Sequence, residues 1–453
     1  MLVSVNPATG EKAHEVESLD EDGLRERIDA AASAAQTWRK TSIVERSKVL
    51  YAVAKQLRDN KDAIGALMTA EMGKPVKEAG PEVEKGAWCA EHYAEHAVEY
   101  LQDEVIASDA SKSYVSYQPL GAILCIFPWN APIWVAMRGI VPALMAGNTV
   151  VMKHDPHVPA CAVALEKAFR DAGAPANILC NLPIPTSLAE QAIRHPAIQA
   201  VSFTGSSKAG AIVASTAASE VKHSVLELGG SDPFVVLADA DLEAAADLAT
   251  LSRVINAGQS CIAAKRIIIE APVYEKFVGM LKERLAKIKV GDPTQSETAI
   301  GPIAREDLRE NLHRQVMQTI EEGAECLLGG ELPEGPGYFY PCTLLAGVTE
   351  TMCAFNEETF GPVMVASKAK DPEEALRLAN RTEYGLGAAV WTADAERALY
   401  FANEIQAGQV SVNGIVKSDP RLPSGGIKRS GFGRELGPHG IREFTNAKQI
   451  WIK

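Results

Sequence analysis

Short apolar runs alternate with segments of helical length through most of this 453-residue chain, and few folds accommodate such a pattern. The first series of apolar runs covers residues 122–128, 148–154, 177–183 and 200–205, with helical stretches at 132–146, 159–173 and 187–195 between them. The second series covers residues 233–238, 266–271, 361–367, 386–393 and 408–413. Strands that are apolar on both faces belong to parallel sheets covered by helices. The pattern therefore predicts two α/β domains, each built on a parallel sheet.

The domain boundary is predicted at Gly229-Gly230, which separates the two series. Residues 20–100 are rich in Ala, Glu, Lys and Leu, a composition that favours helices ahead of the first sheet. The first domain is accordingly predicted to contain residues 1–100 and 120–228, and the second to contain residues 229–425.

Two further segments, 101–119 and 440–453, fit neither sheet. Within the first of them, KSYVSYQ alternates like a strand with one exposed face. An exposed edge strand invites pairing with another subunit. We predict that the two segments form a small β arm through which the chain assembles as a homodimer or homotetramer.

The charge balance restricts the possible partners. The formal net charge is −13 and the isoelectric point is near 5.3, which argues against nucleic-acid and anionic-membrane partners because both require a basic face. Residues 113–137 carry no charge and are long enough to span a bilayer. Because prolines at 119, 128 and 132 interrupt them, we predict a strand, a turn and a helix start there, and no membrane span.

Cysteine usage and the N-terminal residues point to a reducing compartment. Eight cysteines are scattered along the chain without a CxxC pair, so we expect neither a disulfide framework nor a metal site. The N-terminal residues show no basic stretch followed by an apolar one, so we expect no signal peptide and a cytoplasmic location.

The candidate nucleophile is Cys261, which lies among small residues in INAGQSCIAAKR. A nucleophilic thiol needs a nearby base and a donor for the developing oxyanion. Glu227 in LELGG is a candidate base, and Asn130, which follows Pro-Trp at a strand end, is a candidate donor. Each residue also has a structural interpretation: a buried thiol, a solvated carboxylate and a turn asparagine.

Two positions are candidates for binding a phosphate or a ribose. Ser206 lies in GSSKAG, between an apolar run and a helix, where backbone N–H groups favour an anion. Lys153 ends another apolar run, at the sheet edge where ligands bind. An ordinary capping serine and a solvated lysine are the alternatives. GFGRELG (431–437) has the wrong spacing for a dinucleotide motif, so we predict a loop there.

Six motifs follow one another along the chain: FPWN (127–130), FTGS (203–206), LELGG (226–230), NAGQSC (256–261), EETFGP (357–362) and GGIKRSGFGRE (425–435). In this order they resemble the motifs of the aldehyde dehydrogenase superfamily, and the resemblance covers the whole chain. The opening NPATGE (6–11) is similar to that family's start. The resemblance implies two doubly wound, Rossmann-like domains, one binding NAD(P) and one catalytic, plus an oligomerisation arm.

The resemblance also implies roles for particular residues. Cys261 matches the nucleophile, Asn130 the oxyanion donor and Glu227 the base that hydrolyses the thioester. Residues that match the family's cofactor contacts are Trp129, Lys153, Pro156, Gly205, Ser206, Leu228, Glu358 and Phe360.

Arg138, eight positions after Asn130, resembles a substrate-binding arginine of the succinate-semialdehyde dehydrogenases. If both residues lie on one helix, their side chains point about 80° apart, toward one cavity. A guanidinium there would bind a substrate carboxylate, and a structural salt bridge is the alternative. Trp134, Ser418 and Arg421 are further candidates for the same group.

Two positions depart from that group's pattern. Ile255 stands where a second arginine is common, and Ser424 stands where a phenylalanine is common. Other ω-carboxy aldehydes, such as glutarate semialdehyde, and general aldehydes therefore remain open as substrates.

Pro156 stands where NAD-selective members carry a glutamate that repels a 2′-phosphate. We expect NADP to be accepted, with NAD also used.

Three rival functions agree less well with these residues. A cysteine hydrolase with His223 as base leaves GSSKAG and EETFGP without a role. A CoA-acylating enzyme would not need Glu227 for hydrolysis. A non-catalytic relative would not be expected to keep Cys261, Glu227 and Asn130 together.

Overall fold

A computed structural model describes all 453 residues. An N-terminal hairpin and four helices come first: β1 (Leu2–Val5), β2 (Lys12–Val16), α1 (Glu21–Trp38), α2 (Ile43–Asp59), α3 (Lys61–Met72) and α4 (Val76–Tyr100). Then follow β3 (Glu104–Val105), β4 (Lys112–Pro119), β5 (Ala122–Phe127), α5 (Trp134–Met145), β6 (Thr149–His154), α6 (Pro159–Asp171), β7 (Leu179–Asn181), α7 (Ala189–Arg194), β8 (Ile198–Thr204), α8 (Ser207–Ser219) and β9 (His223–Glu227).

The second half begins immediately after Gly229-Gly230. Its elements are β10 (Pro233–Val236), α9 (Leu242–Val254), β11 (Arg266–Glu270), α10 (Tyr274–Leu285), α11 (Glu306–Glu321), β12 (Glu325–Leu328), β13 (Thr343–Ala346), α12 (Cys353–Asn356), β14 (Val363–Ala369), α13 (Pro372–Asn380), β15 (Gly387–Trp391), α14 (Ala395–Glu404) and β16 (Gln409–Val412). The chain ends with β17 (Gly431–Phe432), α15 (Gly437–Glu443) and β18 (Thr445–Ile452).

Two separate α/β sheets form the body of the molecule. The first has the strand order β17-β9-β8-β5-β6-β7, and every neighbouring pair in it is parallel except β17 with β9. The second has the order β12-β13-β14-β11-β10-β15-β16 and is parallel except for β12 at its edge. The predicted α/β fold with two doubly wound, Rossmann-like sheets is confirmed.

The central strands are buried on both faces. All six residues of β5 and of β6 are buried, because helices cover both sides of a doubly wound sheet. The apolar side chains of the first sheet pack into two separate cores, one of which also takes in α2 to α6. This double burial explains why the sequence shows continuous apolar runs rather than alternation.

The arm forms a third, three-stranded sheet. Strand β4 lies in its centre, with β18 on one side and β3 on the other, both antiparallel. KSYVSYQ forms the predicted strand. One edge of β4 pairs along its whole length with β18, whereas β3 pairs only with Tyr114 and Val115 on the other edge, so residues 116–119 keep that edge without a strand partner. The outer edge of β18 also has no strand partner.

Residues 113–137 form most of β4, all of β5 and the first turn of α5, as predicted. No helix combines the length and the apolar character that crossing a bilayer requires.

Two other local expectations need correction. Gly431–Phe432 is a short strand that pairs with Glu227 and Leu226, whereas a loop was expected there. Helix α5 begins at Trp134 rather than near Pro132. Its first turn has no serine or threonine cap, and the Glu82 carboxylate from α4 accepts hydrogen bonds from the backbone N–H groups of Ile133 and Trp134 instead.

Candidate active site

A cavity of about 560 Å³ lies where the first sheet, α4 and the second half of the chain meet. Residues from distant parts of the sequence line it, including Asn130, Trp134, Arg138, Cys261 and Ser418. Its size fits a small organic molecule. The candidate nucleophile, the candidate oxyanion donor and three of the four candidate substrate contacts therefore share one cavity.

A strained loop between α9 and β11 presents Cys261. Asn256, Ala257 and Gly258 have φ angles of 55°, 55° and 72°, a left-handed conformation that side chains other than glycine rarely adopt. The half-buried Glu78 carboxylate accepts a hydrogen bond of 2.8 Å from the Asn256 backbone N–H. A tertiary contact thus holds a backbone that local preference disfavours, as is common at functional sites.

Asn130 is tied to the same loop. Its side-chain amide donates to the Gln259 backbone carbonyl at 3.0 Å, and its backbone carbonyl accepts from the Asn256 side-chain amide at 2.7 Å. One of the two amide hydrogens of Asn130 is used in this way. The other is available for an oxyanion that develops beside Cys261.

The Cys261 thiol is neutral at ordinary pH in this arrangement. Burial raises its pKa to about 11, although the nearby cations Arg138 and Lys265 act in the opposite direction. Lys265 also donates to the Cys261 carbonyl at 2.6 Å, which fixes the backbone of the nucleophile. The reaction therefore has to remove a proton from the thiol before or during attack.

Glu227 ends β9 and is buried beside Arg138, with 3.7 Å between the Glu227 Oε2 and the Arg138 Nη2. It is not among the residues that line the cavity. Burial raises the pKa of Glu227 to about 8, with the Arg138 charge opposing this and the Glu435 charge reinforcing it. A carboxyl that titrates near neutral pH is suited to general-base work.

Arg138 lines the cavity, and its guanidinium forms a buried ion pair with Glu435. The ion pair is the structural alternative that the sequence offered, whereas binding of a substrate carboxylate stays a prediction. The geometric estimate that places Asn130 and Arg138 on one helix is wrong, because Asn130 precedes α5 by four residues. The two residues reach the same cavity because the turn before α5 folds back over the cysteine loop.

Ser418 accepts two hydrogen bonds inside the cavity. The Trp134 indole N–H donates to its Oγ at 2.9 Å, and the Lys85 ammonium donates to it at 3.1 Å. Arg421 does not line the cavity, which corrects the expectation that it contacts the substrate. Its guanidinium binds the neighbouring Asp419 carboxylate and is largely exposed.

Sequence reasoning missed Lys85. The residue lies on the 25-residue helix α4, where one lysine among many charged residues gives no signal. Only the folded chain brings it next to Ser418, which is 333 positions away. Ile255, which stands where a second arginine is common in the succinate-semialdehyde dehydrogenases, lines the same cavity.

The candidate cofactor residues of the first sheet lie at the carboxyl ends of its strands. Lys153 is near the end of β6, Gly205 and Ser206 follow β8, and Trp129 follows β5. The Ser206 side chain caps α8 by accepting from the Ala209 N–H at 3.3 Å. Ser206 is thus a capping serine, as one interpretation held, and it stands at the N-terminus of a 13-residue helix, where a phosphate is stabilised.

Leu228 and Pro156 border the same edge. Leu228 is buried against Gly210, and a side chain at position 210 would collide with it. Pro156 is half-buried, and its neighbour Asp155 accepts hydrogen bonds from the backbone and ring of His157. The Asp155 charge is therefore turned toward His157.

Glu358 and Phe360 come from the second half of the chain. The Glu358 carboxylate accepts from the Gly230 N–H at 3.2 Å and lies 3.2 Å from the Lys265 ammonium. It passes so close to Gly229 that any side chain there would displace it. Phe360 packs edge-on against Trp129. These contacts fit residues that face a dinucleotide between the two sheets.

Arg253 is a second residue whose place the sequence did not reveal. Its fully buried guanidinium donates to the Thr359 carbonyl at 2.7 Å and to the Gly361 carbonyl. It links the end of α9, next to the cysteine loop, to the EETFGP segment. No group of three or more His, Cys, Asp or Glu side chains is arranged to hold a metal ion.

Comparison with known proteins identifies the class. The model of the aldehyde dehydrogenase family matches residues 2–450, and the chain belongs to that family. The chain is 46% identical to a probable succinate-semialdehyde dehydrogenase [NADP(+)] of Synechocystis, over 100% of this chain and 99% of that protein. It is 44% identical to the succinate semialdehyde dehydrogenase [NAD(P)+] Sad of Escherichia coli, over 99% and 97%.

A solved structure agrees with these relatives. The succinic semialdehyde dehydrogenase of Streptococcus pyogenes, crystallised with NADP+ as the cofactor, superimposes with a TM-score of 0.97 at 35% identity, and the match covers 100% of both chains. Membership of the superfamily, as indicated by the six ordered motifs, is confirmed.

Proposed function

We propose that this chain oxidises succinate semialdehyde to succinate, with NADP or NAD as the oxidant. The observation that carries the proposal is that Cys261, Asn130 and Ser418 line a single cavity. This cavity contains a thiol and an oxyanion donor, which can act on an aldehyde. It also contains polar groups that can bind a carboxylate. The relatives' names support the same substrate and both cofactors.

In the first step, the Cys261 sulfur attacks the aldehyde carbon as the thiol proton passes to solvent water. The Asn130 amide and the Cys261 backbone N–H donate hydrogen bonds to the oxygen that becomes negative. A nicotinamide dinucleotide, when bound, would supply the hydride acceptor that this oxidation requires. Loss of hydride from the thiohemiacetal would leave the acyl group on Cys261 as a thioester.

In the second step, Glu227 takes a proton from water, and the water oxygen attacks the thioester. The C–S bond breaks, the product leaves as succinate after releasing its own proton to water, and the Cys261 sulfur takes back the proton held by Glu227, which restores both the thiol and the base. Because Glu227 lies beside Arg138 and outside the cavity wall, its carboxylate must rotate toward the thioester or act through a water molecule.

For the cofactor, the capped N-terminus of α8 is suited to the pyrophosphate, and Lys153 and Glu358 are suited to the two riboses. Pro156 brings no negative charge to the adenosine ribose, which is compatible with the additional phosphate of NADP. The fixed positions of Glu358, held by Gly230 and Lys265, and of Phe360, packed on Trp129, support a nicotinamide site beside Cys261.

We also propose a domain division, an oligomeric state and a cellular location for the chain. Residues 1–100 and 120–228 form the cofactor-binding domain and residues 229–425 the catalytic domain. Segments 101–119 and 440–453 join subunits into a homodimer or homotetramer through the free edge of β18. All eight thiols are free, which suits the reducing cytoplasm.

The test compares succinic semialdehyde with butanal, which has the same chain length but no carboxylate. Initial rates of NADPH formation should give a kcat/KM that is about ten to a few hundred times higher for the acid. That ratio corresponds to roughly 1.5–3 kcal/mol from a charge-assisted hydrogen bond. Equal kcat/KM values for the two aldehydes would overturn the proposal. A higher kcat/KM for glutarate semialdehyde, which is one methylene longer, would make that aldehyde the preferred substrate.

A further inference from the structure

Lys85 brings a half-buried ammonium group into the cavity. It projects from α4, its Nζ lies 3.1 Å from the Ser418 Oγ, and it rests 4.2 Å from the centre of the Trp134 ring. The face of an aromatic ring attracts a cation and holds it in position. The Lys85 ammonium therefore has a defined place in the cavity wall.

Lys85 has no carboxylate of its own within ion-pairing distance, in contrast to the other buried cations of this cavity. Arg138 is paired with Glu435, and Lys74 is paired with Glu82. Asp419, which also lines the cavity, is bound to Arg421. A largely desolvated cation without a counterion favours the binding of an anion.

The surroundings of Lys85 support the same conclusion. Burial, reinforced by the Arg138 charge, lowers the pKa of Lys85 to about 8. The protonated form is thus short of negative charge in the free enzyme. A carboxylate at Nζ would supply that charge.

Ser418 completes an anion site. A hydroxyl has two acceptor lone pairs and one hydrogen to donate. The Trp134 indole and the Lys85 ammonium supply two donors to the Ser418 oxygen, and its own hydrogen has no protein acceptor. That hydrogen and the remaining ammonium hydrogens of Lys85 are free for the two oxygens of one carboxylate.

We propose that Lys85, together with the Ser418 hydroxyl, is the counterion of the substrate carboxylate and determines selectivity for semialdehyde acids. This inference rests on the proposed function and assigns its specificity to a residue outside the motifs.

The test uses Lys85→Met, which keeps the length of the side chain and removes its charge. For succinic semialdehyde we expect kcat/KM to fall tenfold to a few hundredfold, mostly through KM, while kcat/KM for butanal changes less than threefold. Lys85→Arg should recover much of the activity on the acid. Lys77→Met is the matched control, because Lys77 is an exposed lysine of the same helix that also lines this cavity.

The outcomes separate this inference from the proposed function. If the unaltered enzyme does not prefer the acid over butanal, the proposed function fails and the inference fails with it. If the preference exists and Lys85→Met keeps it, the function stands and the role of Lys85 is overturned. If Lys85→Met and Lys77→Met lose the same kcat/KM for the acid, the substrate is attracted by positive charge in general. If Lys85→Met loses the same kcat/KM for the acid and for butanal, Lys85 has a structural role. Either result contradicts the inference.

Discussion

Arg138 stands between two buried carboxyl groups. Its guanidinium is paired with Glu435 and lies 3.7 Å from the Glu227 carboxylate. Burial raises the pKa of both carboxyls, and one positive charge cannot fully offset two negative ones. Both carboxyls are therefore harder to ionise than exposed ones.

This arrangement predicts how the rate depends on pH. Glu227 has to be deprotonated to act as a base, and its pKa is raised to about 8. Where hydrolysis of the thioester limits the rate, kcat should rise as the pH increases through about 8. Glu227→Gln should lose this rise and about 10²–10⁴-fold in kcat. A flat profile of the unaltered enzyme between pH 6 and 9, measured in buffers of constant ionic strength, would argue against Glu227 as the base.

Removing the shared cation should destabilise the fold. Arg138→Met leaves two buried carboxyls without a partner, so we expect the free energy of unfolding to fall by about 3–5 kcal/mol. Arg377→Met removes an exposed ion pair with Glu350 and should cost less than about 1 kcal/mol. Urea denaturation followed by circular dichroism measures both. Similar small losses in the two variants would show that Arg138 does not hold this cluster together.

Site residues that lie in motifs can be predicted from the sequence, whereas residues whose contacts are far away in the sequence cannot. Cys261 and Asn130 stand out because their neighbours form recognisable patterns. Lys85 and Arg253 have ordinary neighbours, and their partners lie 333 and 106 positions away. Arg421 was assigned to the substrate because of its position near Ser418, yet Asp419, two residues before it, binds its guanidinium.

At the scale of the elements, the loop between α9 and β11 has a backbone conformation that its residues disfavour. Gly258 ends its left-handed run and lies against the Gly361 carbonyl, which leaves no room for a side chain. Gly258→Ala should lower stability by at least about 1 kcal/mol and, by misplacing Cys261, reduce kcat roughly tenfold to a hundredfold.

Gly279→Ala is the control for that substitution. Gly279 is exposed in the middle of α10, with no atom near its missing side chain. Alanine there should raise stability by about 0.5–1 kcal/mol and leave kcat unchanged. Thermal unfolding and steady-state rates of the two variants measure the contrast. If Gly258→Ala matches the unaltered enzyme in both, the cysteine does not depend on the strained loop.

The strands that are buried on both faces are the elements that the sequence predicts best. Strands β5, β6 and β8 were found because covering both faces of a sheet requires continuous apolar runs. Strand β17 was missed because two residues cannot show a period. The start of α5 was placed two residues early because its cap is Glu82 on another helix, which no local signal reveals.

At the scale of the whole molecule, the arm sheet carries exposed apolar residues. Trp451 and Ile452 on β18 are each 46% exposed, and Val105 on β3 is 79% exposed. We expect a native mass of two or four chains, and we expect Trp451→Glu to shift the protein toward the monomer. Val221→Glu, at an even more exposed valine outside the arm, should not. Sedimentation velocity measures the masses, and a monomeric unaltered protein would contradict the assembly role of the arm.

The arm also shows what a linear pattern leaves out. Segments 101–119 and 440–453 were correctly singled out as belonging to neither sheet. Their mutual pairing, Lys112 with Ile452 through Pro119 with Thr445, joins residues more than 300 positions apart. No periodicity in either segment indicates its partner, so the pairing of β4 with β18 could not be predicted.

The most direct test of the central claim is to trap the acyl-enzyme. Glu227→Gln enzyme is mixed with NADP and succinic semialdehyde, quenched in acid, digested and analysed by mass spectrometry. We predict a succinyl group on the peptide that contains Cys261, with far less acylation when butanal replaces the acid at the same concentration. Absence of any adduct on Cys261, or an adduct on another of the eight cysteines, would contradict the role of Cys261 as the nucleophile.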